Sequence, residues 1–425
     1  MSIKRVFKTA CVVFIFILAF SFVCAILRRY DSYAKFRSYF KDKTDYDVLF
    51  LGTSHVLNGV NPMQLWNEYG ITSYNMGWNC NTIPADYWQL RLAAGKTKPK
   101  VAVIDILGLY DDIKVDYSSN YVFVHGILDQ FPLSTEKTRA ICDLFDSKKT
   151  RFEFFLPFTL YHNRWQEFSL KKIRNVFNDY ILDKTPEIPT KGFDPKIGVR
   201  VPQSFLPYIP EYVGRETVAI AYARKIIAYC RENGIIPVFM HIPFSEQEKT
   251  IAWKKAFEKI IAEEKVDFID MSSDVDFEID QYDTDFHLNI SGAGKITSVI
   301  GSYLREKCGL KAHDDERTVS KWKSDYESYQ NYYDSLIKNQ TDISLTLLLL
   351  SNSDYKAQAL LANGFDFSVI QKKQIKELGL RFFEHRLHSH GDFDCSIKIF
   401  REKDDSLVCE KFYRKEFITE IIGRE

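Results

Sequence analysis

The sequence predicts an α/β protein with a mainly parallel sheet, an N-terminal transmembrane helix and a small C-terminal domain that contains β-structure. Short, continuously apolar and β-branched runs alternate with helical patterns, as they do in open parallel sheets. A long uncharged run stands near the N-terminus, and the chain becomes polar and tyrosine-rich after residue 312. The 425 residues are 45% hydrophobic, and 57 basic residues balance 57 acidic ones. This composition excludes wholesale disorder and a multi-span membrane protein, and it lacks the basic excess of a nucleic-acid binder.

Residues 9–27 form an apolar run that indicates a membrane anchor, which we assign to residues 1–30. The 19 residues carry no charge, and as a helix they cover about 28 Å, close to the ~30 Å hydrocarbon core of a bilayer. A cleaved signal peptide is the alternative, but residues 23–26 (VCAI) offer no small-x-small cleavage site. Basic residues stand on both sides of the run, so charge alone does not fix the orientation.

Five runs are predicted to be strands of one parallel sheet within residues 31–312. They are residues 47–51, 71–74, 101–107, 235–241 and 266–271. Residues 216–232 and 246–265 have apolar side chains at three- and four-residue spacing, which predicts helices between the later strands. Right-handed crossovers would join such strands into an open sheet.

An insertion at about residues 107–215 interrupts this rhythm and is rich in proline. Within it, residues 152–168 (FEFFLPFTLYHNRWQEF) are dense in aromatic side chains. These aromatics could form a sugar-stacking wall, a membrane-facing lid or the core of the insertion itself. We favour the core, because aromatic residues are most often buried.

Residues 313–425 are predicted to form an appended domain, with a helix over 318–338 followed by β-like runs. Those runs are residues 343–350, 394–400 and 407–413. His385, His388 and His390 lie close together but lack the regular spacing and carboxylate partners of a metal site. We therefore predict neither a metal nor a cofactor.

Ser54 stands where the first predicted strand meets a helical pattern, in the stretch FLGTSH. A serine at that place lies at the carboxyl edge of a parallel sheet, where α/β proteins bind their ligands. Backbone N–H groups of the first helical turn can donate there to an oxyanion. Taken alone, Ser54 could equally be the N-cap of an ordinary helix.

His287 stands far downstream in DTDFHLN, just before an apolar helical pattern. A histidine there can act as a general base, and Asp283 or Asp285 could hold its tautomer. Taken alone, His287 could simply cap the following helix.

Together the two motifs resemble the SGNH/GDSL hydrolase superfamily. Residues 52–55 (GTSH) and residues 287–289 (HLN) with Gly292 and Ala293 are similar to its membrane-anchored, extracytoplasmic branch. That branch includes proteins of lipoteichoic acid D-alanylation and exopolysaccharide O-acetylation. The resemblance covers about residues 1–310 and implies an SGNH-like three-layer sandwich.

The resemblance implies a role for several residues. Ser54 would be the nucleophile and His287 its general base. The N–H groups of Gly77 and Ser54 would bind the oxyanion, with the Asn79 amide as a third donor, although Gly77 could also be an ordinary turn glycine. His55 would have a structural or substrate-contacting role, since adjacent residues at a helix start point about 100° apart.

The sequence departs from the family pattern at two places. The family acid lies three residues before the histidine, where this chain has Thr284, so the loop is shifted or the site is a Ser-His dyad. We slightly favour Asp283 and keep Asp285 beside it. The Gly-x-Asn-Asp block of secreted esterases is also missing, which favours acyl transfer over simple hydrolysis.

The implied activity is a serine-dependent transfer or hydrolysis of acyl groups on envelope polysaccharide or teichoic acid. A membrane-bound O-acyltransferase would be a partner, no nucleic acid is involved, and the catalytic domain would lie outside the cytoplasm on a single-pass anchor in the cell membrane. The alternative is a catalytically inactive envelope scaffold that binds glycan or such a partner.

Overall fold

The structure of the protein is a computed structural model. It describes residues 3–28, 34–107, 121–182, 184, 187–200, 216–243, 257–258, 260–283, 287–386 and 393–414. The chain divides into two compact units, Met1–Thr44, Pro84–Thr97 and Asp112–Ile188 in the first, and Asp45–Ile83, Lys98–Asp111 and Pro189–Glu425 in the second.

The described part of the chain contains nine strands, with helices before and between them. The strands are β1 (Val48–Leu51), β2 (Ser73–Asn75), β3 (Val101–Asp105), β4 (Ile236–His241), β5 (Asp267–Asp270), β6 (Tyr355–Leu361), β7 (Phe382–Arg386), β8 (Cys395–Arg401) and β9 (Leu407–Tyr413). The α-helices are Ile3–Arg28, Ala34–Lys41, Ser54–Gly59, Pro62–Tyr69, Ile83–Ala94, Tyr121–Leu128, Thr135–Leu144, Lys148–Phe155, Phe158–Tyr161, Leu170–Tyr180, Val218–Glu232, Phe277–Asp280, Ile290–Glu306, Glu316–Asn339, Ile343–Leu349 and Val369–Leu378.

A five-stranded parallel sheet forms the centre of the second unit, in the order β2-β1-β3-β4-β5. All five predicted strands are confirmed, each within a few residues of its predicted bounds. The chain moves from β1 outward to β2 and then returns to β3 on the other side of β1. The carboxyl ends of β1 and β3 therefore flank the point where the strand order reverses, which is where such sheets form their ligand crevice.

The core of this unit consists of the strand side chains and the helices that cover them. Phe50 and Val103 pair across β1 and β3 and are fully buried. Val56, Ile296 and Ile300 from the helices join the same cluster. The two central strands are buried along their whole length, which explains why the sequence shows continuous apolar runs instead of alternation.

A second, mixed sheet lies in the C-terminal part, in the order β7-β6-β8-β9. The runs at 394–400 and 407–413 are strands as predicted. The prediction for residues 343–350 is wrong, because Ile343–Leu349 is a helix whose Asp342 side chain caps the Leu345 N–H. A short run that is mostly apolar shows no periodicity that separates helix from strand. β6 and β7 were not predicted.

The C-terminal part, which we predicted as an appended domain, belongs to the same compact unit as the parallel sheet. Trp322, on the long helix Glu316–Asn339, is fully buried and packs against Trp66 and Tyr46. Tyr329 on the same helix accepts a hydrogen bond from Asn61 Nδ2 at 2.9 Å.

The first unit contains the N-terminal helix and the described helices of the insertion. Ile3–Arg28 is long and apolar enough to span a membrane. In the aromatic run of residues 152–168, Phe154 and Tyr161 are buried, whereas Phe152, Phe155, Phe158, Trp165 and Phe168 are exposed. Our preference for a core made of these aromatics is therefore wrong for most of them.

Candidate active site

A glycine turn connects β1 to the helix that begins with Ser54. Gly52 has φ +142°, and a Cβ there would lie 2.7 Å from both the Asp105 Cβ and a Val56 methyl group. Only glycine fits this turn, because it combines a positive φ with close packing. Thr53 is the N-cap, and its Oγ1 accepts from the His55 N–H at 3.2 Å. The turn thus fixes Ser54 at the carboxyl edge of the sheet.

The backbone of His287 and its neighbour Leu288 is held by contacts with residues 281–282. Gln281 and Leu288 form an antiparallel bridge, and the Tyr282 N–H donates to the His287 carbonyl at 2.8 Å. Asn289 then caps the helix Ile290–Glu306, with its Oδ1 accepting from two backbone N–H groups. Its Nδ2 donates to the carbonyls of Gly198 and Ile279. The loop is therefore tied to two neighbouring segments of the chain.

Ser54, His287 and Asp283 form a connected triad. The Ser54 Oγ lies 2.7 Å from His287 Nε2. The other ring nitrogen, Nδ1, lies 2.9 Å and 3.1 Å from the two oxygens of Asp283. The Asp283 Oδ1 also accepts the His287 backbone N–H at 3.2 Å. Both side chains of the acid-base pair are largely buried, at 25% and 17% exposure.

This order of groups matches the chemistry of a serine nucleophile. A carboxylate on Nδ1 holds the ring with that nitrogen protonated, so Nε2 faces the hydroxyl as an acceptor. The acid stands four residues before the histidine, at the position we slightly favoured. Asp285, the other candidate, lies outside the described residues.

The chain matches no family model, and a search of curated proteins found no significant similarity.

Gly77 is near the nucleophile turn but has a different contact from the one expected. Its N–H donates to Asn75 Oδ1 at 2.9 Å. A Cβ on Gly77 would lie 2.5 Å from the Leu57 nitrogen and 3.0 Å from the Thr53 carbonyl oxygen. Gly77 therefore lets β2 and the nucleophile helix approach closely, and its N–H is already paired. The structure does not support the expected role of this N–H as an oxyanion donor.

The other groups that we expected near the nucleophile are the Ser54 N–H, Asn79 and His55. The Ser54 N–H lies in the first turn of the helix Ser54–Gly59, where backbone N–H groups have no acceptor within the helix. Asn79 is exposed in a turn that follows β2. The His55 ring is 8% exposed, and its centroid lies 5.2 Å from that of His287. His55 thus packs beside the base, as a structural role would require.

Asp105 is a neighbour of the site to which the sequence interpretation gave no role. It ends β3, is 1% exposed, and its Oδ2 accepts from the Thr53 hydroxyl at 3.5 Å. Burial raises the pKa of this carboxyl to about 7. The sequence feature that could have identified Asp105 is an acid at the end of an apolar strand (VAVID). A carboxylate in such a place is either paired or part of a functional site.

No metal arrangement is present in the part of the chain that the structure describes, where no group of three or more His, Cys, Asp or Glu could hold an ion. His385 lies on the exposed end of β7, and His388 and His390 lie outside the described residues.

Proposed function

We propose that the protein is a serine-dependent acyltransferase or esterase of SGNH type, with Ser54, His287 and Asp283 as its triad. The observation that carries the proposal is the 2.7 Å contact from Ser54 Oγ to His287 Nε2, with Asp283 on the opposite nitrogen. A serine hydroxyl is a weak nucleophile until such a base removes its proton.

In the first half-reaction, His287 takes the Ser54 proton while Oγ attacks the carbonyl carbon of an ester or thioester. The resulting oxyanion would be bound by the Ser54 N–H, with the Asn79 amide as a second donor. When the intermediate collapses, the bond to the leaving alcohol or thiol breaks and His287 returns the proton to it. The product is an acyl-Ser54 enzyme.

In the second half-reaction, His287 deprotonates either water or an acceptor hydroxyl, whose oxygen attacks the acyl carbon. The bond from that carbon to Ser54 Oγ then breaks, and His287 returns the proton to Ser54 Oγ. The choice between hydrolysis and transfer depends on how well water is excluded. The resemblance in the sequence favours transfer to envelope polysaccharide or teichoic acid, with a membrane-bound O-acyltransferase as the source of acyl groups. We further propose that the N-terminal helix anchors the protein in the cell membrane with the catalytic domain outside the cytoplasm.

The test is covalent labelling of the full-length protein in detergent with a fluorophosphonate probe. Wild type should be labelled, and Ser54→Ala and His287→Ala should lose labelling. Ser328→Ala is the matched control, because Ser328 is an exposed serine on the helix Glu316–Asn339. That variant should be labelled as wild type is.

A folded wild-type protein that takes no label would refute the proposal and favour the scaffold interpretation. If labelling succeeds, hydrolysis and transfer are separated by the breakdown of a pre-formed acyl-enzyme. Transfer requires that breakdown becomes faster when a glycan or polyol acceptor is added, whereas hydrolysis predicts no change.

A further inference from the structure

The insertion exposes several large apolar side chains close together in sequence. Leu170, Trp165 and Ile181 are 85%, 64% and 60% exposed. Phe155, Phe168 and Phe177 are each at least two-fifths exposed. We name these six residues the apolar surface of the insertion. Apolar exposure on this scale in a single short segment marks an interaction surface.

Two helices of the insertion, Phe158–Tyr161 and Leu170–Tyr180, pack on the C-terminal half of the N-terminal helix. The ring of Phe158 lies 5.4 Å from that of Phe20. Val176 forms a buried cluster with Ala25 and Ile26, and Ile173 and Phe22 pack against it. The N-terminal helix is thus exposed over residues 3–19 and covered by the insertion over residues 24–27.

The length of the apolar run decides how deep this contact lies. Within the N-terminal helix, the uncharged run covers residues 9–27. As a helix this run is about 28 Å long, compared with a hydrocarbon core of about 30 Å. The exposed portion, residues 9–19, covers about 16 Å, or roughly half of that core. If the helix spans the membrane, residues 20–27 also lie in hydrocarbon. The helices packed on them then lie within about 12 Å of its edge.

Two residues of the apolar surface, Leu170 and Phe177, lie beside this contact. On the helix Leu170–Tyr180, Leu170 and Phe177 form one stripe at seven-residue spacing, and Ile173 and Val176 lie on the adjacent stripe that contacts the N-terminal helix. The helix therefore has a single apolar half, of which one part meets the anchor and the other part is uncovered.

The charges around the surface suit an anionic membrane. Residues 148–184 contain eight basic and four acidic side chains. Lys171 and Lys172 lie on the polar half of the helix Leu170–Tyr180, and Lys172 is paired with Glu167 at 2.7 Å. Basic side chains above an apolar half are typical of helices that lie in the membrane interface. An exposed tryptophan such as Trp165 is also typical of that depth.

We propose that the apolar surface of the insertion is immersed in the leaflet at the C-terminal end of the N-terminal helix. The occupant is a phospholipid leaflet with anionic headgroups. This proposal rests on the membrane-spanning assignment of the helix and adds that the first unit lies in the membrane interface as well as being tethered to it.

The test uses the full chain in nanodiscs of phosphatidylcholine and phosphatidylglycerol, with one environment-sensitive fluorophore on a single cysteine. The background replaces the native cysteines by serine or alanine and must unfold thermally as wild type does. Leu170→Cys, Phe177→Cys and Ile181→Cys report on the surface. Lipids with a nitroxide on the acyl chain should quench all three labels, and iodide in the aqueous phase should not.

Two control positions separate the possible failures. Phe16→Cys, on the exposed part of the span (68%), should be quenched by the lipid nitroxide, and Leu380→Cys, in the other unit (90%), should be quenched by iodide alone. If the surface labels behave like Leu380 while Phe16 is quenched by lipid, the immersion proposal is overturned and the anchor stands. If Phe16 is also insensitive to lipid, the anchor assignment itself fails. Surface labels that neither quencher reaches would indicate a protein contact, which also overturns the proposal.

Discussion

The position of Asp283 relative to His287 is the residue-scale feature that defines this site. A spacing of four residues lets the same carboxylate accept both the ring Nδ1–H and the backbone N–H of the histidine. The acid thereby holds the backbone of His287 as well as its ring tautomer. A three-residue spacing is thus not required for the triad to form.

We expect Asp283→Asn to lower kcat by a factor between about 10² and 10⁴, because the amide would favour the wrong tautomer of His287. The measurement is acyl-ester turnover with a chromogenic substrate, together with the rate of fluorophosphonate labelling. Asp285→Asn is the matched control and should keep nearly full activity. Equal losses in both variants, or a loss only with Asp285→Asn, would contradict the assignment.

The buried carboxyl of Asp105 predicts that the stability of the protein depends on pH. Burial raises the pKa of its carboxyl from 3.8 to about 7, so the folded chain holds this proton more tightly than the unfolded chain does. The free energy of unfolding therefore falls as the pH rises from about 4 to about 7, by at most about 4 kcal/mol at about 1.4 kcal/mol per unit. Asp105→Asn removes this dependence, since an amide does not ionise.

Urea denaturation of wild type and Asp105→Asn in detergent, at pH 4.5 and pH 8, measures the effect. The free energy of unfolding of the variant, relative to that of wild type, should be higher at pH 8 than at pH 4.5. An equal difference at both pH values would show that Asp105 does not titrate in this range.

At the scale of elements, the helix Ile290–Glu306 positions the base through its cap. Asn289 accepts from the Ser291 and Gly292 N–H groups, and donates to carbonyls on two other segments. One buried side chain therefore ties the helix start, the His287 loop and residues near Gly198 together.

Asn289→Ala should lower the free energy of unfolding by about 2–4 kcal/mol, because a cap worth about 1 kcal/mol is lost and buried carbonyls lose a donor. It should also slow fluorophosphonate labelling, since His287 would no longer be held against Ser54. The two readouts are urea denaturation and the labelling rate at a temperature where the variant is folded.

Asp342→Ala is the control for the loss of a cap alone. Asp342 caps Ile343–Leu349 through the Leu345 N–H, so its loss should cost about 1 kcal/mol and leave the labelling rate unchanged. A labelling rate for Asn289→Ala that equals that of Asp342→Ala would refute a positioning role for Asn289.

At the scale of the whole molecule, the C-terminal part and the parallel sheet share one compact unit. Trp322 is the largest fully buried side chain of that contact, and Lys191 lies over its ring and pairs with Asp325 at 2.7 Å. A core shared in this way predicts that the two sheets unfold together.

Trp322→Ala should lower the stability of this whole unit by about 3–5 kcal/mol, because a large buried side chain leaves a cavity. The near-ultraviolet signal and the labelling competence should be lost in one transition as urea is raised. Leu380→Ala, at an exposed position, should change stability by less than about 0.5 kcal/mol. Two separate transitions in wild type would contradict a shared core.

The sequence predicted those strands and helices that have a clear pattern of apolar residues within the element itself. Runs such as VLFL and VAVID are short, β-branched and apolar, and they became β1 and β3. The prediction for residues 343–350 failed because this short run (ISLTLLLL) is mostly apolar, so the sequence shows neither a helical nor a strand period. In β6 (YKAQALL), apolar and polar residues alternate at most positions, which is typical of a strand with one buried face. The sequence analysis overlooked this pattern.

The sequence by itself determined the parallel sheet, the apolar N-terminal helix and the residue types of the site, because these depend on periodicity and on groups with few alternative uses. Only the tertiary structure decided that Asp283 faces His287, that the Gly77 N–H is already paired, and that the aromatics of the insertion are largely exposed. Each of these depends on contacts between segments far apart in the chain or on the course of a loop. Such contacts are set by packing, which no local pattern records.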